Sequence, residues 1–344
     1  MPAAVKLTVG QRVMLRYRRP EGGEPPLTDV VGMLVEVGPD AVVVQTRRGR
    51  VSIERRGIVA AKAVPPAPVR RGRPHRAIAI ADLERVMASC WPPLESEPLG
   101  QWVLRASNGF TRRANSLLPI GDPGLPLTEA VDLMQAWYDA RGLRRVSALA
   151  GPAGFAIEDD PLGELLLGRG YEPFNRTLVM TSATGSLMDV PADAPLVDVS
   201  DGPDEAWFSA WARDGVALTG TARQVIRGRP PARFASALRP DAATVGAGAP
   251  RGASRVVGIG QLMTAPGWGG LYSMYVDPDE RRRGVATAIL AALAGAAGTL
   301  GIQSLYLQAA VANTAAVRRY TALGFATHHE YVYLGSGPTG APRG

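Results

Sequence analysis

Apolar and polar residues along the chain keep two periods, and the changes of period mark out the elements. From Val9 to Tyr17 they alternate in twos, the period of a strand with one buried face. Val30–Val37, Ala41–Thr46 and Val51–Glu54 follow, separated by the turn clusters Gly38-Pro-Asp40 and Arg48-Gly-Arg50. Short strands at this spacing predict a small SH3-like β-barrel over residues 1–62. Residues 63–76 (Ala-Val-Pro-Pro-Ala-Pro-Val-Arg-Arg-Gly-Arg-Pro-His-Arg) hold no period, and their prolines predict an extended linker.

Residues 77–182 mix helix and strand periods. A helix is expected from Asp82, as cap, through Leu83, Val86, Met87 and Cys90, ended by Pro92-Pro93. Gln101–Ser107 and Thr111–Leu118 read as a hairpin turned at Asn108-Gly109. Thr128 is expected to cap a helix carrying Val131, Met134, Trp137 and Tyr138, closed by Gly142. A strand Arg145–Leu149, a helix Pro161–Arg169 and a strand Tyr171–Met180 complete the unit.

Residues 194–334 repeat the plan. Strands are expected at Leu196–Val199, Arg233–Leu238, Ser254–Thr264, Leu271–Val276, Ser304–Ala309 and Thr327–Leu334. Helices are expected after Asp204, at Thr221–Arg227, after Gly284 and at Thr314–Leu323. The repeat aligns at its ends: Leu166-Leu-Gly-Arg-Gly-Tyr171 lies over Tyr320-Thr-Ala-Leu-Gly-Phe325, each a helix end, a glycine and an aromatic that opens the last strand. The class is α/β (α+β), with two related lobes behind the barrel. The Gly/Pro-rich residues 335–344 are expected to be disordered.

Composition adjusts this picture in a few places. The formal net charge is +7. Met1–His75 holds fourteen Lys/Arg against six Asp/Glu, a balance of +8, so the remainder sums to −1. The basic character therefore belongs to the N-terminal segment. There Arg47, Arg48, Arg50, Arg55 and Arg56 offer a face for nucleic acid, but with Tyr17 as the single aromatic no stacking platform is visible, and a solvated or protein-docking face is favoured. The one cysteine, Cys90, excludes an intramolecular disulfide, and His75, His328 and His329 lack metal-ligand spacing, so no metal is expected. Met1–Gly10 has no apolar signal core, and Val285–Ile302, mostly Ala, Gly and Thr, reads as a buried helix rather than a span. A cytoplasmic protein is expected.

The candidate chemistry lies in Leu271-Tyr-Ser-Met-Tyr-Val-Asp-Pro-Asp-Glu-Arg-Arg-Arg-Gly-Val-Ala-Thr287. It reads as strand, tight loop and first helical turn. The free N–H groups of that turn form an anion site, reinforced by the helix dipole, and a phosphate-bearing ligand is expected.

Val276-Asp-Pro-x-x-Arg-Arg-Arg-Gly-Val-Ala286 resembles the acetyl-CoA signature of the GNAT N-acetyltransferase superfamily, and Asn313-Thr-Ala-Ala-Val-Arg-Arg-Tyr-Thr-Ala-Leu-Gly-Phe325 is similar to that family's second motif. The resemblance covers residues 194–334; the whole layout resembles bacterial tandem-lobe GNAT proteins with an N-terminal SH3-like domain. It implies acetyl-CoA bound by Met274, Tyr275, Val276, Arg281, Arg282, Arg283, Gly284, Val285, Ala286, Thr287, Asn313 and Tyr320. It also implies a strand edge that pairs with the pantetheine, an oxyanion donor near Tyr275, and Tyr320 returning a proton to the leaving thiolate. Asn313 can equally serve as a helix N-cap; the bland role of Tyr320 is a core tyrosine, and the motif context favours the catalytic one.

The first lobe has Leu166 where the second has Tyr320, and lacks the arginine loop. It is expected to be a non-catalytic copy bordering the substrate cleft. Glu205, Glu330, Asp214 or a water chain are alternatives for the general base. Trp207, Trp211 and Trp268 are candidates for the wall of the acceptor pocket, core packing being the favoured role of the first two. The acceptor, an amino acid such as glutamate, another small amine or a protein amine, is left open; Arg213, Arg223 and Arg105 are candidates for a carboxylate clamp. The alternative function is an acyl-CoA sensor or interaction module whose basic domain contacts nucleic acid or a protein.

Overall fold

A computed structural model describes residues 7–19, 26–46, 49–64, 74–186, 194–215, 217–228, 231–240 and 254–336. The chain forms two compact units, Met1–Ala67 and Pro68–Gly344.

The N-terminal unit is an antiparallel sheet of β1 (Arg12–Arg18), β2 (Leu27–Val37), β3 (Ala41–Thr46), β4 (Gly49–Glu54) and β5 (Ile58–Ala63), in the order β4-β3-β2-β1-β5. The alternation seen in the sequence is the burial pattern: Val13, Leu15, Val30, Leu34, Val42, Val44 and Ile53 form its core. β5 was not expected, because Ile58-Val-Ala-Ala-Lys-Ala63 lacks clear alternation; pairing with β1 defines it. Arg47 and Arg48 lie outside the described residues. Of the other arginines, Arg56 pairs with Glu54 and Arg55 donates to the Gly38 carbonyl.

The second unit opens with α1 (Pro74–Ala77), inside the expected linker, and α2 (Ile80–Cys90). Next come β6 (Glu95–Leu99), β7 (Trp102–Ala106), α3 (Leu127–Asp139), β8 (Arg145–Gly151), α4 (Pro161–Gly168) and β9 (Glu172–Ala183). Beyond these lie β10 (Leu196–Ser200), α5 (Glu205–Trp211), α6 (Gly220–Arg227), β11 (Ala232–Pro240), β12 (Ser254–Ala265) and β13 (Trp268–Val276). The unit ends with α7 (Val285–Thr299), β14 (Ser304–Ala310), α8 (Thr314–Ala322) and β15 (Ala326–Ser336).

Three local expectations are corrected. The hairpin is β6–β7, turned at Gly100-Gln101 with Gly100 at φ +58, not at Asn108-Gly109. Residues 107–116 instead form a loop tied by Asn115. Its Oδ1 accepts from the Ser107 and Gly109 amides, and its Nδ2 donates to the Phe110 and Thr111 carbonyls. Those bonds engage groups that a strand partner would need. Asp82 and Thr128 do not cap: α2 and α3 begin earlier, behind Ala79 and Pro126. Gly335 and Ser336, placed in the expected tail, pair with Val146 and Arg145.

The two repeated segments share one eight-stranded sheet, ordered β10-β11-β12-β13-β14-β9-β15-β8. From β14 to the β8 edge each segment lends strands to the other: β9 pairs with β14, β15 pairs with β8, and β9 and β15 pair together. The aligned helix ends match bond for bond. The Tyr171 amide donates to the Leu166 carbonyl at 3.0 Å and the Phe325 amide to the Tyr320 carbonyl at 3.0 Å, around Gly170 and Gly324 in the left-handed region. α7 covers one face through Val285, Ile289, Leu290 and Leu293; α2 and α5 cover the other, with Trp207, Phe208, Tyr272 and Tyr306 between. Among the described residues no helix is long and apolar enough to cross a membrane.

Candidate active site

β13 and β14 run parallel but pair only from Trp268↔Ser304 to Leu271↔Leu307. Beyond Leu271, β13 departs. Its register against β12 jumps from Gln261↔Tyr272 to Ile259↔Tyr275, and Ser273 sits at φ +53. This is a bulge, which bends the strand that carries it. A non-glycine residue in the left-handed region is a costly conformation that clusters at functional sites. Residues 272–276 therefore leave β14 and present an unpaired edge to the gap.

The Asp277 amide donates to the Val257 carbonyl at 2.9 Å, which puts Asp277 and then Tyr275 in the hydrogen-bonded register with β12. The alternation of a strand turns the Val276 amide away from β12, into the gap.

The loop after β13 is fastened by its acids. Asp277 takes Arg213 at 2.8 Å, Arg255 at 3.0 Å and the Tyr275 hydroxyl at 3.0 Å. Glu280, buried, takes Arg255 at 2.7 Å, with Arg239 and Arg283 farther off. Arg281, Arg282 and Arg283 are exposed, Arg282 at φ +64 and Gly284 at φ +75. The first helical bond of α7 runs from the Ala288 amide to the Gly284 carbonyl, so the amides of Val285, Ala286 and Thr287 have no helical partner. Exposed cations, free amides and a left-handed glycine make an anion-binding cradle in geometry.

α8 flanks this cradle. Its Arg319 donates to the Thr287 hydroxyl. Asn313 is its N-cap, Oδ1 accepting from the Ala316 amide at 3.1 Å. Tyr320 is half-buried, its ring edge-on to Phe325 at 6.1 Å, and its hydroxyl bonds to no described residue. Burial pushes its phenol above the ordinary value, which keeps the proton on.

The tryptophans and base candidates are distributed differently. Trp207 lies in the core, its indole 3.4 Å from the Gly260 carbonyl; Trp268 is buried beside Tyr306; Trp211 is half-buried against Phe110. Glu205 pairs with Arg223, and Glu330, buried, with Arg176. Arg213 and Arg223 are thus engaged by Asp277 and Glu205. Arg105 alone of the expected clamp faces a cavity, shared with Glu84, Arg113, Gln308, Tyr331 and Tyr333. Sequence reasoning did not single out Arg113; it comes from the loop read as a strand.

Residues 78–334 match a family described as "Probable histone acetyltransferase Rv0428c C-terminal", and residues 7–62 match "Rv0428c N-terminal Sm-like domain". A "Probable histone acetyltransferase Rv0428c" of Mycobacterium tuberculosis is 36% identical over 203 residues, 58% of this chain and 59% of that protein. The chain thus spans about three fifths of that relative's length. An "Uncharacterized N-acetyltransferase YobR" of Bacillus subtilis is 25% identical over 262 residues, 74% of this chain and 97% of that one. Among solved structures, a GCN5-related N-acetyltransferase from Kribbella flavida superposes with a TM-score of 0.53 at 16% identity, over 75% of this chain and 95% of that one, a likeness of fold.

Proposed function

The chain belongs to the family of the Rv0428c C-terminal domain, within the GNAT superfamily, and from that premise we propose that it is an acetyl-CoA-dependent N-acetyltransferase. The observation that carries the reading is the early end of the β13–β14 pairing, one step before the bulge at Ser273 and one loop before the Arg281–Thr287 cradle. A pantetheine arm needs an unpaired strand edge leading to a phosphate site, and this segment supplies both.

Acetyl-CoA brings the thioester. The amides of Arg282 to Thr287 hold its pyrophosphate, with the arginine side chains offsetting charge. Met274, Tyr275 and Val276 line the arm, and the Val276 amide, turned into the gap, donates to the thioester oxygen. The expected donor near Tyr275 is thereby moved one residue along. A neutral primary amine attacks the carbonyl directly: an N–C bond forms, the C–S bond breaks, and the thiolate takes the Tyr320 phenolic proton. The proton shed by nitrogen passes to solvent and restores the phenol. Asn313 reaches the arm through its Nδ2, which capping leaves free.

The test is release of free thiol from acetyl-CoA by the full chain, with a panel of amines. Amine-dependent release supports the reading. Acetyl-CoA binding without turnover of any amine would return the chain to the sensor class.

A further inference from the structure

Arg113 stands at the apex of the β13–β14 gap. Its guanidinium is 5.2 Å from the ring centre of Tyr272, the first β13 residue past the pairing, and donates to the side chain of Gln308, the first such residue of β14. Arg105 lies behind it, 3% exposed, its Nε donating to the Ser116 carbonyl and its Nη2 to the Ser116 hydroxyl, both at 2.8 Å. Among the described residues no carboxylate pairs with either, and the Nη1 of Arg105 makes no hydrogen bond. The cavity they share is a narrow crevice of about 10 Å³, room for about one water molecule, open at its mouth. It lies on the sheet face away from α7, with Tyr272 and Tyr306 rather than Leu305 and Leu307.

The one carboxylate of this cavity, Glu84, does not balance the pair. His328 Nε2 lies 2.9 Å from the Ile78 carbonyl, which only accepts. His328 Nδ1 lies 2.8 Å from His329 Nδ1, and His329 Nε2 lies 2.8 Å from Glu84 Oε1. Glu84 is thus taken up by His329, and among the described residues it makes no ion pair with Arg105 or Arg113. Burial draws the Arg105 pKa down, against the pull of Tyr333, Tyr138 and Glu84, and the neighbouring Arg113 charge acts in the same direction as burial. Buried charges are ordinarily paired, and Arg105, buried, with Arg113, half-buried, leaves two like charges side by side with no ion pair among the described residues, a place suited to a counter-ion.

We propose that the acceptor amine carries a carboxylate, bound by Arg105 and Arg113 with the Tyr331 and Gln308 side chains alongside. The inference rests on the acetyltransferase reading and names its substrate class. The geometry suits it: an amine a few bonds from that carboxylate reaches the gap through which the thioester enters. The Tyr331 hydroxyl, donating to Gln308 Oε1 at 2.8 Å, fixes the amide that Arg113 binds.

The test uses the full chain. Calorimetry with acetyl-CoA comes first; no binding sinks the acetyltransferase reading itself. Given binding, thiol release is measured with matched acceptors: 4-aminobutyrate against butylamine, glutamate against glutamine, and a lysine peptide with neutral ends. The carboxylate member of a pair should have a kcat/KM higher by about tenfold or more. In Arg113→Gln that preference should fall by about tenfold, mostly through KM, and Arg113→Lys should recover part of it. Wild type that serves butylamine, glutamine or the neutral peptide equally well would overturn the inference, as would an equal loss for both members of a pair in Arg113→Gln. Should no amine turn over, thermal shifts with 4-aminobutyrate and glutarate decide. Stabilisation of wild type that Arg113→Gln loses supports the site, and none in wild type overturns it.

Discussion

His329 Nε2 sits 2.8 Å from Glu84 Oε1, with the histidine 0% and the glutamate 6% exposed. The contact fastens β15 to α2. Glu84→Gln keeps a hydrogen-bond partner in the same place, since an amide can donate to the ring nitrogen or accept from it. Glu84→Leu leaves His329 Nε2 buried without a partner, at a cost of about 1–3 kcal/mol. Urea unfolding should therefore find Glu84→Gln within about 1 kcal/mol of wild type and Glu84→Leu clearly below it. Equal destabilisation by the two would show that a hydrogen-bond partner at His329 Nε2 is not what holds the contact.

His328 gives the cluster a pH dependence. Burial, reinforced by His329, pulls its pKa below the ordinary 6.5. In the unfolded chain His328 gains a proton at a pH where the folded chain still refuses one. The unfolded state then binds more protons, and stability rises with pH across that window. Stability should fall as pH drops from about 7 towards about 5.5, with a slope of at most about 1.4 kcal/mol per pH unit from this residue. His328→Gln should flatten that part of the profile; an unchanged slope would remove His328 as its source.

Features contained in a continuous stretch were legible from sequence. The helix–glycine–aromatic ends at Leu166–Tyr171 and Tyr320–Phe325 form because a left-handed glycine closes each helix locally, so the repeat could be read. The cradle at Arg281–Thr287 could be read for the same reason. The strand exchange could not: β9 has the same alternation whether it pairs with β8 or with β14. Nor could the Arg105–Arg113 cavity, built from β7, β8, a loop, α2, β14 and β15. Arg213 and Arg223 had the composition of a clamp, but Asp277 and Glu205 take them up, while Arg113, with nothing in its local pattern to mark it, is left facing the gap.

Asn313 has two roles that separate by chemistry. Its Oδ1 caps α8, and its Nδ2 is assigned to the pantetheine arm. Asn313→Ala should cost about 1 kcal/mol of stability. Asn313→Asp keeps the acceptor and removes the donor, so it should unfold like wild type and yet bind acetyl-CoA several-fold more weakly. Calorimetry finding full affinity in that variant would leave Asn313 as a cap alone.

Gly284 stands at φ +75, in the left-handed region, so a larger residue is opposed by backbone conformation. Gly284→Ala should destabilise by about 1 kcal/mol. Gly284→Glu adds a carboxylate at the pyrophosphate cradle and should abolish acetyl-CoA binding while the chain remains folded. Retained binding in calorimetry would sink the assignment of the loop.

Tyr320 is the residue on which the proposed proton transfer depends. Its position matches Leu166 in the first repeat, where the same helix end is built without a hydroxyl, so the fold does not require one. The phenol is half-buried and held protonated, and its oxygen bonds to no described residue. A hydroxyl kept only for packing gains nothing from that arrangement. Tyr320→Phe keeps the ring against Phe325 and should unfold within about 1 kcal/mol of wild type. Turnover should drop by a factor on the order of ten to a thousand, with acetyl-CoA affinity nearly intact. An alternative thioester with a more acidic thiol leaving group needs less help from an acid, so the variant's deficit should shrink with it. A deficit that stays constant across leaving groups would assign Tyr320 to positioning instead.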